Sequence, residues 1–429
     1  MKKNKIGIIT LGCSKNTVDS ERLINQLKLN DFTISAEPEK ADIVIINTCG
    51  FIEAAKEESI NTILSAVELK NAGKLKKVVV TGCLSQRYKE ELIKEIPEVD
   101  VFFGTEDYEG IIKNLGGSLK YKLLGERELS TPKHYAYLKI SEGCDNPCSF
   151  CAIPLIRGKH KSGTIESLLE ETAFLAEKGV KELIIIGQDT TDYGKDIYGK
   201  RNLAELLTKL SGVKGIEWIR LLYAYPSHFP DDLLEVIAGN PHICKYLDMP
   251  LQHISGNVLK SMRRGITSKR TRDLIYKIRK NIPGITLRTT FIVGYPNETE
   301  DDFAQLCDFV KEMEFDRIGA FTYSIEENTS GYDLGDPVPK EEKEERLANL
   351  MEIQNGISFN KNKSLIGSKV KVIIDKFEEN MYYARSERDA PEVDGDILIQ
   401  KGKEKINIGD FYNVKITGCS DYDLKAGLI

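Results

Sequence analysis

A short apolar strand pattern, Tyr135-Ala-Tyr-Leu-Lys-Ile-Ser141, runs through Glu142 and Gly143 into Cys144-Asp-Asn-Pro-Cys148-Ser-Phe-Cys151. Asp145, Asn146 and Pro147 disfavour a regular helix, so three cysteines share one open loop at the end of a strand. Thiolates grouped in this way take an iron–sulfur cluster or zinc. A closed zinc site needs a fourth Cys or His, for which the nearest candidate is His160. Three ligands alone leave one coordination position free for a small molecule.

Downstream of this loop the pattern alternates. Further strands are predicted at Glu182–Gly187, Ile216–Tyr223, Tyr246–Met249, Thr286–Gly294 and Arg317–Tyr323. Amphipathic helices are predicted at Glu166–Lys178, Leu203–Leu210, Asp231–Ala238, Ser268–Lys280 and Thr299–Met313. Six β/α units are too few for an eight-stranded barrel and fit a partial (β/α)6 one, whose chemistry belongs at the carboxyl ends of its strands. Those ends are polar or glycine-bearing: Gly187–Thr191, Tyr223–Pro226, Gln252-His253, Arg288 and Gly294–Glu298. Together they predict a lined pocket. No phosphate-binding loop of the G-x4-G-K-[ST] or strand-linked G-x-G-x-x-G kind occurs.

Upstream, Cys13, Cys49 and Cys83 are separated by 35 and 33 residues, and each ends an apolar run. The runs begin at Ile6, Ala41 and Val78, with helical patterns at Asp19–Leu29 and Glu53–Lys70 between them. Unalternating β-branched runs read as buried parallel strands. A doubly wound parallel sheet follows, with the three cysteines converging at one edge. A turn-rich bridge, Gly116–Pro132, separates this unit from the next. Beyond Pro337–Pro339 come a charged helix, Lys340–Asn355, and short strands at Lys369–Asp375, Tyr382–Arg385, Ile397–Ile399 and Tyr412–Thr417, which fit a small antiparallel, OB-like β-barrel. The domain bounds read from these changes are 1–120, 130–362 and 365–429.

Composition narrows the function. Of 429 residues 41% are apolar and 29% charged, an ordinary globular balance, and no apolar run approaches a membrane span. The start, Met1-Lys2-Lys3-Asn4-Lys5, is basic, but Ile6–Leu11 is too short for a signal-peptide core, so a cytoplasmic location is expected. Nine cysteines without a secretory signal favour metal binding or catalysis over disulfides. Cys244, Cys307 and Cys419 are read as packing residues. The net charge of −6 disfavours a general nucleic-acid binder. From Leu365 onward, 10 basic residues stand against 12 acidic, which favours a protein partner. Tyr382, Tyr383, Phe411 and Tyr412 are expected to pack the terminal barrel or its rim.

Cys144-x3-Cys148-x2-Cys151 behind a barrel strand resembles the radical S-adenosylmethionine superfamily. The three-cysteine sheet before it and the β-barrel after it resemble the methylthiotransferases, in which an N-terminal methylthiotransferase domain, a radical SAM domain and a TRAM domain follow in this order. Leu11-Gly-Cys-Ser-Lys-Asn-Thr-Val-Asp-Ser-Glu21 and Asn47-Thr-Cys-Gly-Phe-Ile-Glu-Ala-Ala-Lys-Glu-Glu-Ser59 resemble the ribosomal-protein branch, the RimO type. So does Arg385-Ser-Glu-Arg-Asp-Ala-Pro-Glu-Val-Asp-Gly395. The tRNA-modifying branch typically carries Gln-Met-Asn after the first cysteine and Val-Arg after the second. One stretch departs from the family: Gly163-Thr164 stands where Arg or Lys, then Pro, is usual.

The resemblance implies a 4Fe-4S cluster on Cys144, Cys148 and Cys151 that binds S-adenosylmethionine through its amino and carboxylate groups and cleaves it to a 5′-deoxyadenosyl radical. It implies a second 4Fe-4S cluster on Cys13, Cys49 and Cys83, whose open iron carries the sulfur to be inserted. The substrate would be an aspartate of small-subunit ribosomal protein twelve. Hydrogen is taken from its β-carbon, sulfur is added there, and a second S-adenosylmethionine supplies the methyl group. No protein side chain is assigned as catalytic. The implied partners are that ribosomal protein, free or within the ribosomal subunit, a sulfur donor and a reductant, with no membrane and no nucleic-acid substrate. The alternatives are a tRNA methylthiotransferase acting on a modified adenosine, and a non-catalytic iron–sulfur or zinc scaffold that binds the ribosome.

Overall fold

Runs of β-branched residues can be buried on both faces only if helices cover both sides of their sheet. The computed structural model, which describes residues 4–429, shows this arrangement; the basic Met1–Lys3 lies outside the described residues. The first unit runs β1 (Lys5–Thr10), α1 (Ser14–Leu29), β2 (Thr33–Ser35), β3 (Ile43–Thr48), α2 (Glu53–Asn71), β4 (Lys77–Gly82), α3 (Cys83–Glu95), β5 (Val101–Phe102) and α4 (Tyr108–Asn114). Its sheet has the order β2-β1-β3-β4-β5 and is parallel throughout. Ile63, Val67, Leu84 and Leu92 from α2 and α3 pack one face, and Leu23, Leu27 and Ile111 from α1 and α4 pack the other. Helix α1 starts five residues before the predicted Asp19, directly behind Cys13. Its first turns bury Lys15, Asn16 and Asp19, so no apolar stripe marks them.

The bridge is not a free linker. Arg127 within it is fully buried, ion-paired to Glu21 of α1 and to Glu171 at 2.8 Å, and donates to the carbonyl of Tyr137.

The central unit follows as β6 (Tyr135–Lys139), β7 (Ser141–Glu142), α5 (Ile153–Arg157), β8 (Lys161–Ser162), α6 (Ile165–Glu177), β9 (Glu182–Ile186), α7 (Lys195–Tyr198), α8 (Leu203–Leu210), β10 (Trp218–Leu221), α9 (Asp231–Gly239), β11 (Ile243–Asp248), α10 (Gly256–Ser261), α11 (Ser268–Asn281), β12 (Thr286–Val293), α12 (Glu300–Met313) and β13 (Arg317–Thr322). Six parallel strands in the order β13-β12-β11-β10-β9-β6 form the partial barrel expected, with β6 and β13 as its unpaired edges. Residues such as Leu183, Ile185, Leu206 and Phe309 pack sheet against helices, while Tyr137, Ile184, Trp218 and Tyr246 pack inside the curve. Strands β7 and β8 pair antiparallel and clamp together the two ends of the cysteine loop. At the departure from the family pattern, Thr164 caps α6 by accepting from the backbone of Ser167 at 3.2 Å.

Helix α13 (Lys340–Ser364) extends nine residues past the predicted Asn355. Ile357 in its added turns packs on the central core, but the fully buried positions there are the polar Ser358 and Asn362, Asn362 donating to the carbonyl of Asp421 at 3.2 Å, which leaves little apolar periodicity to read.

The last unit is a closed five-stranded barrel: β14 (Lys369–Glu378), β15 (Met381–Ser386), β16 (Ile397–Gln400), β17 (Phe411–Cys419) and β18 (Leu424–Leu428). It corrects the sequence expectation twice. There are five strands rather than four, and β16 pairs with β18 in parallel, so the barrel is not wholly antiparallel. Leu424-Lys-Ala-Gly-Leu428 carries no β-branched residue to announce a strand. The barrel sits under the amino ends of the central strands. Asp375 accepts from His134 at 2.7 Å, Asp410 pairs with Lys181 at 2.6 Å, and Phe411 meets Trp218 edge to face at 4.8 Å. Tyr382 is buried and Phe411 is covered, so these aromatics pack the barrel and its rim as expected. No helix among the described residues is long and apolar enough to cross a membrane.

Candidate cysteine sites

Cys13, Cys49 and Cys83 stand at the carboxyl ends of β1, β3 and β4, at one edge of the first sheet. Asn16 ties two of these strand ends together, donating to the carbonyls of Leu11 (2.8 Å) and Thr48 (3.0 Å). Its Oδ1 lies 3.7 Å from the sulfur of Cys83. Ser59 closes the turn after β3, accepting from the backbone N–H of Cys49 at 3.0 Å and donating to its carbonyl at 2.8 Å. Cys13 is exposed, whereas Cys49 and Cys83 are buried. Burial pushes the Cys83 thiol up to about 12, although Arg157 favours the thiolate, and it raises Cys49 as well.

The approach of these strand ends is close enough to require glycine. Gly12 has φ +88°, and a Cβ there would stand 2.7 Å from Cys49 Cβ and 2.8 Å from Cys49 Sγ. Gly12→Ala is expected to destabilise the metal-free protein by more than the ~1–2 kcal/mol of a left-handed residue alone. Denaturant unfolding measures this, and an unchanged midpoint would show that the turn can relax.

The second trio is fixed from several directions. Gly143, at φ +73°, precedes Cys144, and a side chain there would run into the backbone of Gly158 and Lys159. Asn146 donates to Cys144 Sγ through both its backbone N (3.5 Å) and its amide (3.4 Å), and the same amide reaches Asp189 at 2.7 Å. Arg264 donates to Cys148 Sγ at 3.3 Å, and the Tyr225 hydroxyl lies 3.5 Å from that sulfur. The Arg264 guanidinium also stacks on the Tyr225 ring at 4.2 Å. Burial raises the Cys144 thiol to about 11 and Cys151 to about 12. Donors aimed at sulfur and a guanidinium beside it suit thiolate ligands, which such a site holds charged once a cation compensates their burial.

Helix α5 joins the two sites. It opens two residues after Cys151 and ends in Arg157, whose Nη2 lies 3.4 Å from Cys83 Sγ. Ile156 and Ala152 pack against Cys83 itself. Arg157 also pairs with Asp19 at 2.7 Å and Glu142 at 3.1 Å, and Lys139 joins the same carboxylates. Burial alone would raise Asp19, but these two cations hold it well below the usual carboxylate range.

Of the predicted pocket residues, Asp189 and Tyr225 are brought to the cysteine loop. Arg288 instead pairs with Asp248 at 2.9 Å, and His253 faces Glu298 at 3.4 Å, the side chains of this second pair fully buried. Tyr295 supports the loop from below, its hydroxyl 2.9 Å from that of Ser149. His160 bonds Ser162 at 3.0 Å, with Asp196 beyond it at 3.9 Å. Among the described residues, one group of ligand atoms lies within 4.8 Å of one another: Asp19, Glu106 and Glu142, already neutralised by Lys139 and Arg157. Neither cysteine trio is drawn in that tightly. Cys244, Cys307 and Cys419 pack into three separate cores. Arg157, Arg264 and Asn16 carried no signal beyond their place in quoted or neighbouring motifs.

Comparison with known proteins agrees with this layout. Residues 5–104 match the uncharacterized protein family UPF0004, 138–310 the radical SAM superfamily and 366–429 the TRAM domain. The chain is 55% identical over 424 residues to the ribosomal protein uS12 methylthiotransferase RimO of Christiangramia forsetii, covering 99% of this chain and 94% of the relative. It is 53% identical to the protein of that name from Chloroherpeton thalassium, covering 100% and 99%. Among solved structures, the radical S-adenosylmethionine methyltransferase TsrM from Kitasatospora setae shares the fold with a TM-score of 0.55, at 12% identity over 77% of each chain.

Proposed function

This chain belongs to the RimO family of ribosomal protein uS12 methylthiotransferases, and from that premise we propose that it works with two four-iron clusters, one on each cysteine trio. It is a radical SAM enzyme of the transferase class, with an iron–sulfur cluster and S-adenosylmethionine as cofactors. Its substrate is the small-subunit ribosomal protein uS12, whose aspartate receives a methylthio group at the β-carbon. The tRNA alternative draws no support from the relatives.

In this reading Cys144, Cys148 and Cys151 hold the cluster that supplies the electron for cleaving the sulfonium of S-adenosylmethionine, chemistry that acid–base side chains cannot provide. Cys13, Cys49 and Cys83 hold the second, which presents the sulfur. The chain's own residues position both. Asn146 and Arg264 donate to the first set of sulfurs, and Arg157 spans from that set to the second. The observation that carries the reading is α5, one short helix with a cysteine of each trio beside it: Cys151 precedes it and Cys83 packs on it. Lys15, two residues after Cys13, lies 3.0 Å over the ring of Tyr223, so the first sheet also faces the inner side of the barrel.

The domains are taken as 1–120, 130–362 and 365–429, acting in the cytoplasm with a sulfur donor and a reductant. The uS12 target is free or within the ribosomal subunit. The deciding experiment is mass spectrometry of uS12 and of tRNA from a deletion strain. Loss of the methylthio mass from uS12 alone is the expected result, and loss from tRNA alone would overturn the assignment. Anaerobic reconstitution should load about eight irons per chain, the content of two cubanes.

A further inference from the structure

Residues Arg385–Gly395 leave the C-terminal barrel and cross the inside of the central sheet, touching all six of its strands. Arg385 pairs with Glu182 of β9 at 2.8 Å. The carbonyls of Ser386 and Glu387 accept from Arg220 of β10 at 3.2 and 2.7 Å. Asp389 pairs with Arg317 of β13 at 2.9 Å. Asp394 accepts from Tyr246 of β11 at 2.7 Å and lies 3.6 Å from Arg288 of β12. Glu392 accepts from Tyr135 and Tyr137 of β6, at 3.1 and 2.8 Å. The segment is the floor of the partial barrel, inserted from the next domain at the end away from the cysteine loop.

The charges on this floor are matched, with two exceptions. Arg220 and Arg385 share Glu182, Arg317 has Asp389, and Arg288 is held by Asp248 and Asp394. Glu387 accepts only from the backbone N–H of Lys245, at 3.3 Å, and Glu392 meets two neutral hydroxyls; neither has a cation partner among the described residues, and Glu392 is the one held at both oxygens. It is exposed, as is its neighbour Val393 at 53%. Its backbone adopts φ +69°, a conformation that a non-glycine residue keeps only where its surroundings impose it. Tyr135 and Tyr137 lie on the edge strand β6, packed against Val18 of α1. A carboxylate fixed at both oxygens, reached by solvent and lacking a counter-charge, is a ready receptor for a positive group.

We propose that Glu392 is a specificity residue for the protein substrate: it receives a lysine or arginine side chain neighbouring the acceptor aspartate. The inference rests on the uS12 reading and extends it to a residue of the C-terminal domain. That domain thereby becomes part of the substrate chamber as well as a support beneath it. A cation-bearing segment is drawn in at Glu392, while a segment without one leaves the carboxylate unpaired, so discrimination falls on binding.

The test uses recombinant uS12 and a second uS12 in which every Lys and Arg within five residues of the acceptor is replaced by Gln. Binding to the full-length enzyme is read by fluorescence anisotropy, alongside KM and kcat for methylthiolation. Glu392→Gln is expected to weaken binding of natural uS12 about tenfold, with the loss in KM rather than kcat, and Glu392→Asp to recover most of it. The charge-stripped uS12 should bind wild type and Glu392→Gln alike. Equal affinity of wild type and Glu392→Gln for natural uS12, or the same penalty with the stripped substrate, overturns the proposal. If wild type itself leaves uS12 unmodified, the uS12 reading fails instead, so the two failures are told apart.

Discussion

Cys148→Ala is expected to abolish cleavage of S-adenosylmethionine, with no 5′-deoxyadenosine above background in an anaerobic assay. Cys148 lies at the centre of its loop, where two independent groups converge on one sulfur: the Arg264 guanidinium at 3.3 Å and the Tyr225 hydroxyl at 3.5 Å. Changes to such outer partners alone commonly cost ~10–100-fold in metal affinity, and loss of the ligand itself costs more. No spare cysteine can substitute. Cys244 and Cys307 are packed in the central unit's cores and Cys419 in the terminal barrel's. The loop should survive the change, because its ends are clamped by β7 and β8 and by the N–H of Cys144 to the carbonyl of Gly158 at 3.1 Å. The expected variant is therefore folded, poor in iron and unable to form the radical. Retained 5′-deoxyadenosine production would refute the role given to Cys148.

Both trios and the order of the three units were legible because they rest on local pattern. Buried parallel strands announce themselves by β-branched runs, and Leu203–Leu210 was predicted to the residue because its apolar stripe is unbroken. Elements held by polar contacts left no such trace. The first turns of α1 are buried through Lys15, Asn16 and Asp19, and the end of α13 through Asn362. The floor of the barrel was visible only as a family-like string, Arg385–Gly395, since its meaning lies in partners from six strands. Arg264 is 116 residues from the sulfur it contacts, and Arg157 is 74 from Cys83. Spacing along the chain carries no information about such pairs. The Gly163-Thr164 departure proved a local exchange, with a threonine cap serving where proline is usual.

Cys49→Ala separates the two sites, and it should stop methylthiolation while leaving cleavage of S-adenosylmethionine in place. The residue follows β3 in the first sheet, and its backbone is held by Ser59 through groups the substitution does not touch. Its side chain is small and buried, so alanine keeps the strand end and the Gly12 approach intact. What is lost is one of three sulfurs, and iron bound after reconstitution should fall by about half, from two cubanes to one. The Cys144 loop keeps its own donors in Asn146 and Arg264, neither of which touches Cys49. The measurements are iron per chain, 5′-deoxyadenosine and the mass of uS12 from the same reaction. A normal methylthio product on uS12 would remove the second cluster from the mechanism. Loss of 5′-deoxyadenosine together with product would instead mean that Arg157, which contacts Cys83 and ends the helix behind Cys151, makes each site depend on the other. Deoxyadenosine without product is the outcome that assigns radical formation to one trio and sulfur insertion to the other.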